Sequence, residues 1–279
     1  MTAAIRPPDR AGTDMQQDEV IGFLRQPGAY PQPCHDVRII ETHAALVFLA
    51  GSNAYKIKKA VTYPYLDFST LAKREAACRR ELEINQPHAP QIYLGIVPVC
   101  RTPDGELAIG GTGKPVEWTV HMHRFDDDAL LAKAIDADPP GLSFYDQLAD
   151  EIASYHAKAS VIADRTGAAA MQVIVDELRE AFASAGDIIG RTRQAEFDRL
   201  LSGQLDTCRH RLDQRARRGY LRRCHGDLHL GNIVVLNGRP VLFDAIEFSE
   251  EFASIDTLYD LAFLIMDLDK RGMRPEANR

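Results

Sequence analysis

The sequence predicts an α+β protein in two lobes, a small antiparallel sheet with one long helix followed by a mainly helical region. Up to about residue 120, short runs of β-branched and aromatic residues alternate with turn residues, which is typical of antiparallel strands. After the acidic stretch at residues 126–128, apolar residues recur at the spacing of amphipathic helices. We therefore expect a flexible leader over residues 1–16, an N-terminal lobe over 17–123 and a C-terminal lobe over 124–279.

Composition narrows the class of protein. The 279 residues include 33 basic and 40 acidic side chains, a net charge of −7, which argues against a nucleic-acid-binding surface. No apolar run approaches the roughly 18 residues of a membrane span, and the N-terminus lacks the apolar core of a signal peptide. The five cysteines are widely spaced and form no CxxC pair. These features predict a cytoplasmic protein with reduced cysteines and neither nucleic acid nor membrane as a partner.

The N-terminal lobe is predicted to begin with a short helix over residues 17–26. A second, longer helix is expected from Ser69 to Gln86, with Ser69 as its N-cap residue and Pro87 ending it. The segment Gly51-Ser52-Asn53 suits a hairpin turn between two strands. The strands are expected near residues 37–41, 45–50, 54–58, 91–99, 107–109 and 116–124.

The C-terminal lobe is predicted to contain four helices and one β-hairpin. The hairpin has β-branched residues from Ile233 to Leu236, the turn pair Asn237-Gly238, and a return run from Val241 to Phe243. The helices are expected near residues 143–160, 171–187, 193–218 and 254–269.

Three polar residues lie around this hairpin. If its strands pair about the turn, Asn232 and Asp244 fall within about one residue of facing each other. Asp227 precedes Asn232 by five residues in a glycine-containing loop, so its carboxylate can point into the same space. Two oxygen ligands for Mg²⁺ and one metal-free carboxylate are the minimal set for moving a phosphoryl group. The alternative is a structural hairpin in which these residues coincide by chance.

The spacing H-x-D-x-x-x-x-N followed by a strand-borne aspartate matches the catalytic loop of protein kinases. It resembles the aminoglycoside phosphotransferase-like branch of that superfamily, whose HGDxxxxN loop is matched by His225, Gly226, Asp227 and Asn232. The segments AYKIKK, YLDFSTL, PVEW, HGDLHLGNI, FDAIEF and YDLAFLIMDLD further resemble a bacterial family that is often fused to a C-terminal P-loop ATPase domain. This resemblance runs from about residue 20 to 270.

The resemblance implies a protein-kinase-like two-lobed fold and an ATP-dependent phosphotransferase. ATP and Mg²⁺ would be the cofactors, a hydroxyl group of a small molecule the acceptor, and a P-loop ATPase domain a partner. Asp227 would be the catalytic base, while Asn232 and Asp244 would hold the metal. The alternative is a nucleotide-binding regulatory module with weak or no turnover that works with an ATPase domain.

The N-terminal lobe supplies candidates for nucleotide binding. Lys56 lies where kinases carry the lysine that contacts the phosphates, and Lys58, on the same strand face, is the second choice. The helix-borne acid that holds this lysine is expected to be Glu81, with Glu75 as an open alternative. His123 ends the strand that corresponds to the adenine-binding hinge, where backbone groups make the contact.

Two further features follow from the resemblance. The turn Glu41-Thr42-His43-Ala44 replaces the glycine-rich loop of protein kinases, so either other backbone N–H groups cover the phosphates or the phosphates are only weakly covered. Asp260 lies in an apolar segment, where a buried charge has to be hydrogen-bonded, and by resemblance it would brace the catalytic loop.

Overall fold

The computed structural model describes residues 15–185 and 190–279. The chain folds as two compact units that meet in sequence between Ala129 and Leu130, here called the N-terminal and C-terminal units. The predicted α+β class is confirmed, since the first unit holds an antiparallel sheet and the second is mainly helical. The expected leader lies outside the described residues, except for Met15 and Gln16, which belong to the first helix.

A six-stranded antiparallel sheet forms the centre of the N-terminal unit. Its strands are β1 (Val37–Glu41), β2 (Ala45–Ala50), β3 (Asn53–Lys58), β6 (Tyr93–Arg101), β7 (Leu107–Ile109) and β8 (Lys114–His123). They are arranged in the order β1-β2-β3-β8-β6-β7. The other elements are helices α1 (Met15–Leu24) and α2 (Leu71–Asn85) and a small hairpin of β4 (Thr62–Tyr63) and β5 (Leu66–Asp67).

The two faces of this sheet differ in chemistry. On one face, Tyr55 and Ile57 of β3 pack with Val20 and Leu24 of α1 in an apolar core. Successive side chains of a strand point to opposite faces, so the lysines of β3 lie on the other side. There they meet the buried residues of α2. The sheet therefore packs the face of Tyr55 and Ile57 against α1 and the face of Lys56 and Lys58 against α2.

The start of α2 differs from the prediction. Its N-cap residue is Thr70, whose hydroxyl accepts a hydrogen bond from the N–H of Lys73 at 3.3 Å. Ser69, the predicted cap, instead donates from its backbone N–H and its hydroxyl to Asp67, at 3.0 and 2.6 Å. The prediction missed the β4–β5 hairpin because strands of two residues are too short to show a periodic pattern.

The C-terminal unit packs helices against the predicted hairpin. Its core brings together Leu148 and Ile152 of one helix, Ile233 and Leu242 of the hairpin, and Leu264 of another helix. The helices are α3 (Leu131–Ala137), α4 (Leu142–Lys158), α5 (Gly167–Ser184), α6 (Arg191–Arg217), α7 (Glu250–Ala253), α8 (Thr257–Lys270) and α9 (Arg274–Ala277). The strands are β9 (Leu221–Arg223), β10 (Ile233–Leu236), β11 (Arg239–Leu242) and β12 (Ser254–Asp256).

Across the described parts of the chain, no helix is both long and apolar enough to cross a membrane.

Two helix predictions in this unit were inaccurate. The segment expected as one helix over residues 254–269 begins with β12, which pairs with β9, and only then becomes helical. The Asp256 carboxylate caps α8 by accepting the N–H of Leu258 at 2.8 Å. Helix α5 begins four residues before the predicted residue 171, after its cap Thr166, and residues 186–187 of that prediction lie outside the described residues.

The β10–β11 hairpin forms as predicted. Its register pairs Ile233 with Leu242 and Leu236 with Arg239, which leaves Asn237 and Gly238 as a two-residue loop. Both loop residues have positive φ angles, 52° and 74°, as the tight turn that suits the twist of the strands requires. This turn fixes the register and with it the positions of the residues at the open end.

Candidate active site

A loop over residues 225–232 connects β9 to β10 and carries the predicted catalytic motif. Its start is held by Asp260, whose buried carboxylate accepts hydrogen bonds from the backbone N–H groups of His225 at 3.3 Å and Gly226 at 2.8 Å. The Nε2 atom of His156 lies 2.8 Å from the same carboxylate. Asp260 therefore braces the loop, as expected, because these donors satisfy its charge inside the unit.

Gly226 allows the loop to turn sharply before Asp227. Its φ angle is 83°, a left-handed value that side chains other than glycine rarely adopt. A Cβ atom here would lie 2.6 Å from the side chain of Ile246. Both observations show that glycine is required at this position.

His225 is buried and links two parts of the site. Its Nδ1 accepts a hydrogen bond from the N–H of Asp227 at 3.3 Å, and its Nε2 lies 2.9 Å from the carbonyl oxygen of Phe243. This pattern fits the neutral ring with its proton on Nε2. Burial lowers the pKa of His225, although nearby acids, Asp260 first among them, oppose the shift. The histidine therefore holds the loop in place through its two hydrogen bonds.

Asp227 is the half-exposed carboxylate of the loop. Its Oδ2 accepts a hydrogen bond from the Asn232 amide at 3.0 Å, and the same amide donates to the Asp227 carbonyl oxygen at 2.9 Å. Burial alone would raise the pKa of Asp227, but the hydrogen bond and charge of His229 and the hydrogen bond of the Asn232 amide lower it. Asp227 is therefore ionised at neutral pH.

Asn232 and Asp244 lie at the open end of the hairpin. The N–H of Phe243 donates to the carbonyl oxygen of Asn232 at 3.1 Å, so Asp244 is one residue beyond the position that faces Asn232. The Asn232 amide nitrogen is directed at Asp227, so the amide oxygen is the atom that could hold a metal ion. Asp244 has a positive φ of 60°, a strained conformation for a non-glycine residue. An amide oxygen and a carboxylate suit Mg²⁺, so the residues present fit this ion.

His229 is a site residue that the sequence analysis missed. Its Nε2 lies 3.5 Å from Oδ2 of Asp227, and this contact is the main reason why the pKa of His229 is raised. Its Nδ1 accepts the N–H of Gly231 at 3.0 Å, which holds the ring in place. A Cβ atom on Gly231 would lie 2.8 Å from this ring. The sequence signal was the pattern D-x-H-x-G, which places a second histidine two residues after the aspartate.

In the N-terminal unit, two lysines of β3 share one glutamate of α2. Lys56 Nζ lies 2.9 Å from Glu81 Oε1, and Lys58 Nζ lies 2.5 Å from Glu81 Oε2. Glu81 is fully buried. Glu75, the alternative partner, instead forms a surface ion pair with Arg79 at 2.8 Å. The structure thus places Glu81, and not Glu75, against Lys56.

A second buried ion pair joins α2 to the sheet and was not anticipated. Arg74 of α2 contacts Glu117 of β8, with 2.8 Å between Nε and Oε2. The side-chain amide of Gln17 donates to the same Oε2 at 2.7 Å and to the carbonyl oxygen of Lys58 at 2.9 Å. The available signal was the charged residue within the apolar strand sequence PVEWTV.

His123, the predicted hinge residue, is exposed at the end of β8. Its backbone N–H donates to the carbonyl oxygen of Ile92 at 2.8 Å, and the N–H of Arg124 donates to Ser52 at 2.9 Å. These two N–H groups are therefore engaged within the unit. The adenine contact expected at His123 stays a prediction, and these donors do not supply it.

Comparison with known proteins gives relatives of similar sequence. Uncharacterized proteins of Mycobacterium tuberculosis and Mycobacterium bovis are each 34% identical over 252 residues, which cover 87% of this chain and 47% of the relative. The chain thus spans about half the length of the curated relatives it matches. No family model matches the chain.

Solved structures whose backbones align with this chain have low sequence identity to it. A choline/ethanolamine kinase family protein from Mesorhizobium loti aligns with a TM-score of 0.46 and 16% identity, over 95% of this chain and 75% of that one. A thermostable mutant of an aminoglycoside phosphotransferase gives 0.42 and 13%, over 95% and 80%. Likeness at this level does not establish function, which has to be inferred from the site residues.

Proposed function

We propose that this chain transfers the γ-phosphoryl group of ATP to a hydroxyl group of a small molecule. The observation that carries the proposal is the 3.0 Å hydrogen bond from the Asn232 amide to the Asp227 carboxylate. It holds a proton acceptor and a metal ligand side by side in one braced loop. Phosphoryl transfer depends mainly on positioning and on stabilising charge, which is what such a loop provides.

Each polar residue of the loop has a role in this proposal. Asp227, ionised at neutral pH, accepts the hydrogen bond of the acceptor hydroxyl, orients it and takes its proton. The oxygen atoms of Asn232 and Asp244 would hold Mg²⁺, which would neutralise negative charge on the phosphates. Through its hydrogen bonds to Asp227 and Phe243, His225 keeps the loop in a fixed position relative to the end of the hairpin.

The lysine and glutamate of the N-terminal unit complete the proposal. Lys56, held by Glu81, is proposed to contact the ATP phosphates, as a buried lysine on a glutamate does in protein kinases. Support comes from the burial of Glu81, because a carboxylate removed from water needs a cationic partner. The proposal includes ATP and Mg²⁺ as cofactors, a cytoplasmic setting, and a P-loop ATPase domain as a partner.

The test is an incubation of the protein with ATP, Mg²⁺ and a metabolite extract, followed by mass spectrometry. We expect at least one compound to gain about 80 Da, the mass of one phosphoryl group, together with release of ADP. Asp227→Asn should abolish this gain. Asp269→Asn, which changes a half-exposed carboxylate of the same unit, should leave it unchanged.

The same variant distinguishes an enzyme from a regulatory module. An enzyme with Asp227→Asn should still bind ATP, measured by titration calorimetry, while losing transfer. A chain that binds ATP but phosphorylates no compound, with or without the substitution, would contradict the proposed activity and favour the module.

A further inference from the structure

Glu81 pairs with two lysines, although the proposed contact with the ATP phosphates requires only one of them. Lys56 and Lys58 take different oxygen atoms of the same carboxylate, at 2.9 and 2.5 Å. Lys58 is the more deeply buried of the two, with 2% of its surface exposed against 9% for Lys56. The lysine nearer to solvent is the one proposed to contact phosphate.

The arrangement has an electrostatic consequence. A single lysine and a single glutamate sum to zero charge, whereas two lysines and one glutamate sum to +1. Burial makes charges interact strongly, so this difference matters for a polyanionic ligand. A glutamate held by Lys58 also keeps its position when the amine of Lys56 turns toward a phosphate.

We propose that Lys58 is a positioning residue that anchors Glu81 and thereby makes Lys56 available to the phosphates of a nucleotide. The inference rests on the proposed function and adds a residue to it. Lys58 acts through Glu81 and Lys56 and does not itself contact the nucleotide.

Lys58 makes contacts besides the one with Glu81. Its carbonyl oxygen accepts the amide of Gln17 at 2.9 Å, and its Nζ lies 5.6 Å from the centre of the Phe68 ring, within the range of a cation–π contact. The next residue, Lys59, pairs with the exposed Glu41 at 2.8 Å. Lys59 is therefore a matched control, with the same side chain one position along the chain but paired with an exposed glutamate instead of Glu81.

The experiment compares the affinity for Mg-ATP with the affinity for adenosine, both by titration calorimetry. Adenosine has no phosphate, so a loss of phosphate contact changes only the ATP value. We expect Lys58→Met to weaken ATP binding about tenfold, as for one charged hydrogen bond, and to leave adenosine binding unchanged. Lys58→Arg should restore most of the ATP affinity, and Lys59→Met should change neither value.

A double variant tests whether Lys58 acts through Lys56. Residues that act as one unit are not additive, so Lys56→Met with Lys58→Met should bind ATP no more weakly than Lys56→Met alone. Thermal unfolding verifies that each variant is folded. If Lys58→Met does not fold, Lys58→Gln, shorter and uncharged, is measured in its place with the same expectation.

Three results would overturn the inference while leaving the proposed function intact. They are unchanged ATP affinity in the Lys58 variant, equal losses for ATP and adenosine, and a further loss in the double variant. A wild-type chain that binds no ATP would instead overturn the proposed function, and this inference with it.

Discussion

The Nε2 atom of His225 lies 2.9 Å from the carbonyl oxygen of Phe243, the residue that precedes Asp244. This hydrogen bond joins the loop over residues 225–232 to the end of the hairpin. One buried ring therefore sets the positions of Asp227, the proposed base, and Asp244, the proposed metal ligand. The ring makes both of its hydrogen bonds only in the neutral state. Its protonation should therefore weaken the site and the fold together.

The first prediction concerns stability at acid pH. The pKa of His225 is lowered in the folded chain from its ordinary value of 6.5, so below about pH 6.5 the unfolded chain binds a proton that the folded chain does not. The contribution of His225 to the free energy of unfolding should therefore be largest above this pH. It should decrease at lower pH, by up to about 1.4 kcal/mol per pH unit. Urea unfolding of the wild type and of His225→Gln between pH 5 and 8 measures this. The free energy of unfolding of His225→Gln should depend less on pH than that of the wild type, whereas the exposed control His35→Gln should behave like the wild type. Equal slopes in all three proteins would contradict the prediction.

The second prediction concerns the brace. Asp260→Ala leaves the N–H groups of His225 and Gly226 without their acceptor, and a buried unsatisfied group costs about 1–3 kcal/mol. We expect a loss of several kcal/mol in the free energy of unfolding and a loss of phosphoryl transfer. Asp269→Ala, on the exposed side of α8, should change the free energy of unfolding by less than about 0.5 kcal/mol. A stable and active Asp260→Ala would show that the loop is held in another way.

The third prediction concerns His229. Its ring lies beside the Asp227 carboxylate and is half exposed, so its removal should affect the reaction more than the fold. We expect His229→Asn to lower kcat about tenfold, as removal of one positioned polar group does, with little change in KM for ATP. Steady-state kinetics measures both constants, with the exposed His210→Asn as control. A change confined to KM for ATP would assign His229 to nucleotide binding.

The fourth prediction separates the two candidate glutamates of α2. Glu81→Gln removes the buried partner of Lys56 and should weaken ATP binding and lower the melting temperature. Glu75→Gln removes only a surface pair with Arg79, which contributes less than about 1 kcal/mol. Calorimetry and thermal unfolding of both variants measure the contrast. Equal effects of the two substitutions would contradict the placement of Glu81.

The fifth prediction concerns the five cysteines, all of which lie in the described parts of the chain and form no disulfide bond there. Cys208 is exposed, whereas burial raises the pKa of the Cys100 and Cys224 thiols, and Cys78 is also buried. The thiolate is the reactive form, so Cys208 should react rapidly with a thiol reagent at pH 8, and these three only after denaturation. Peptide mass spectrometry of the labelled chain identifies the sites. Fast labelling of Cys224 in the native protein would contradict the buried position of β9 and its following loop.

Local features of the fold were predictable because their causes lie within a few residues. The Asn237-Gly238 pair dictates the hairpin turn, and the turn sets the register that brings Asn232 close to Asp244. Helices such as α4 and α6 were predicted within a few residues of their ends from apolar periodicity. Helix α3, with seven residues, and the three-residue strands β9 and β12 were not, because their length is set by their packing partners.

The sequence by itself determined the hairpin and the spacing of Asp227 and Asn232 in the loop, and it predicted the chemistry that we propose for them. Only the tertiary structure decided which glutamate meets Lys56, because Glu75 and Glu81 are six residues apart and point about 120° apart around the helix. It likewise decided that Lys58 shares Glu81 and that Asp260 reaches the loop, contacts that join residues 23 and 34 positions apart. Periodicity reports which face of an element is apolar, whereas these contacts depend on how whole elements pack against each other.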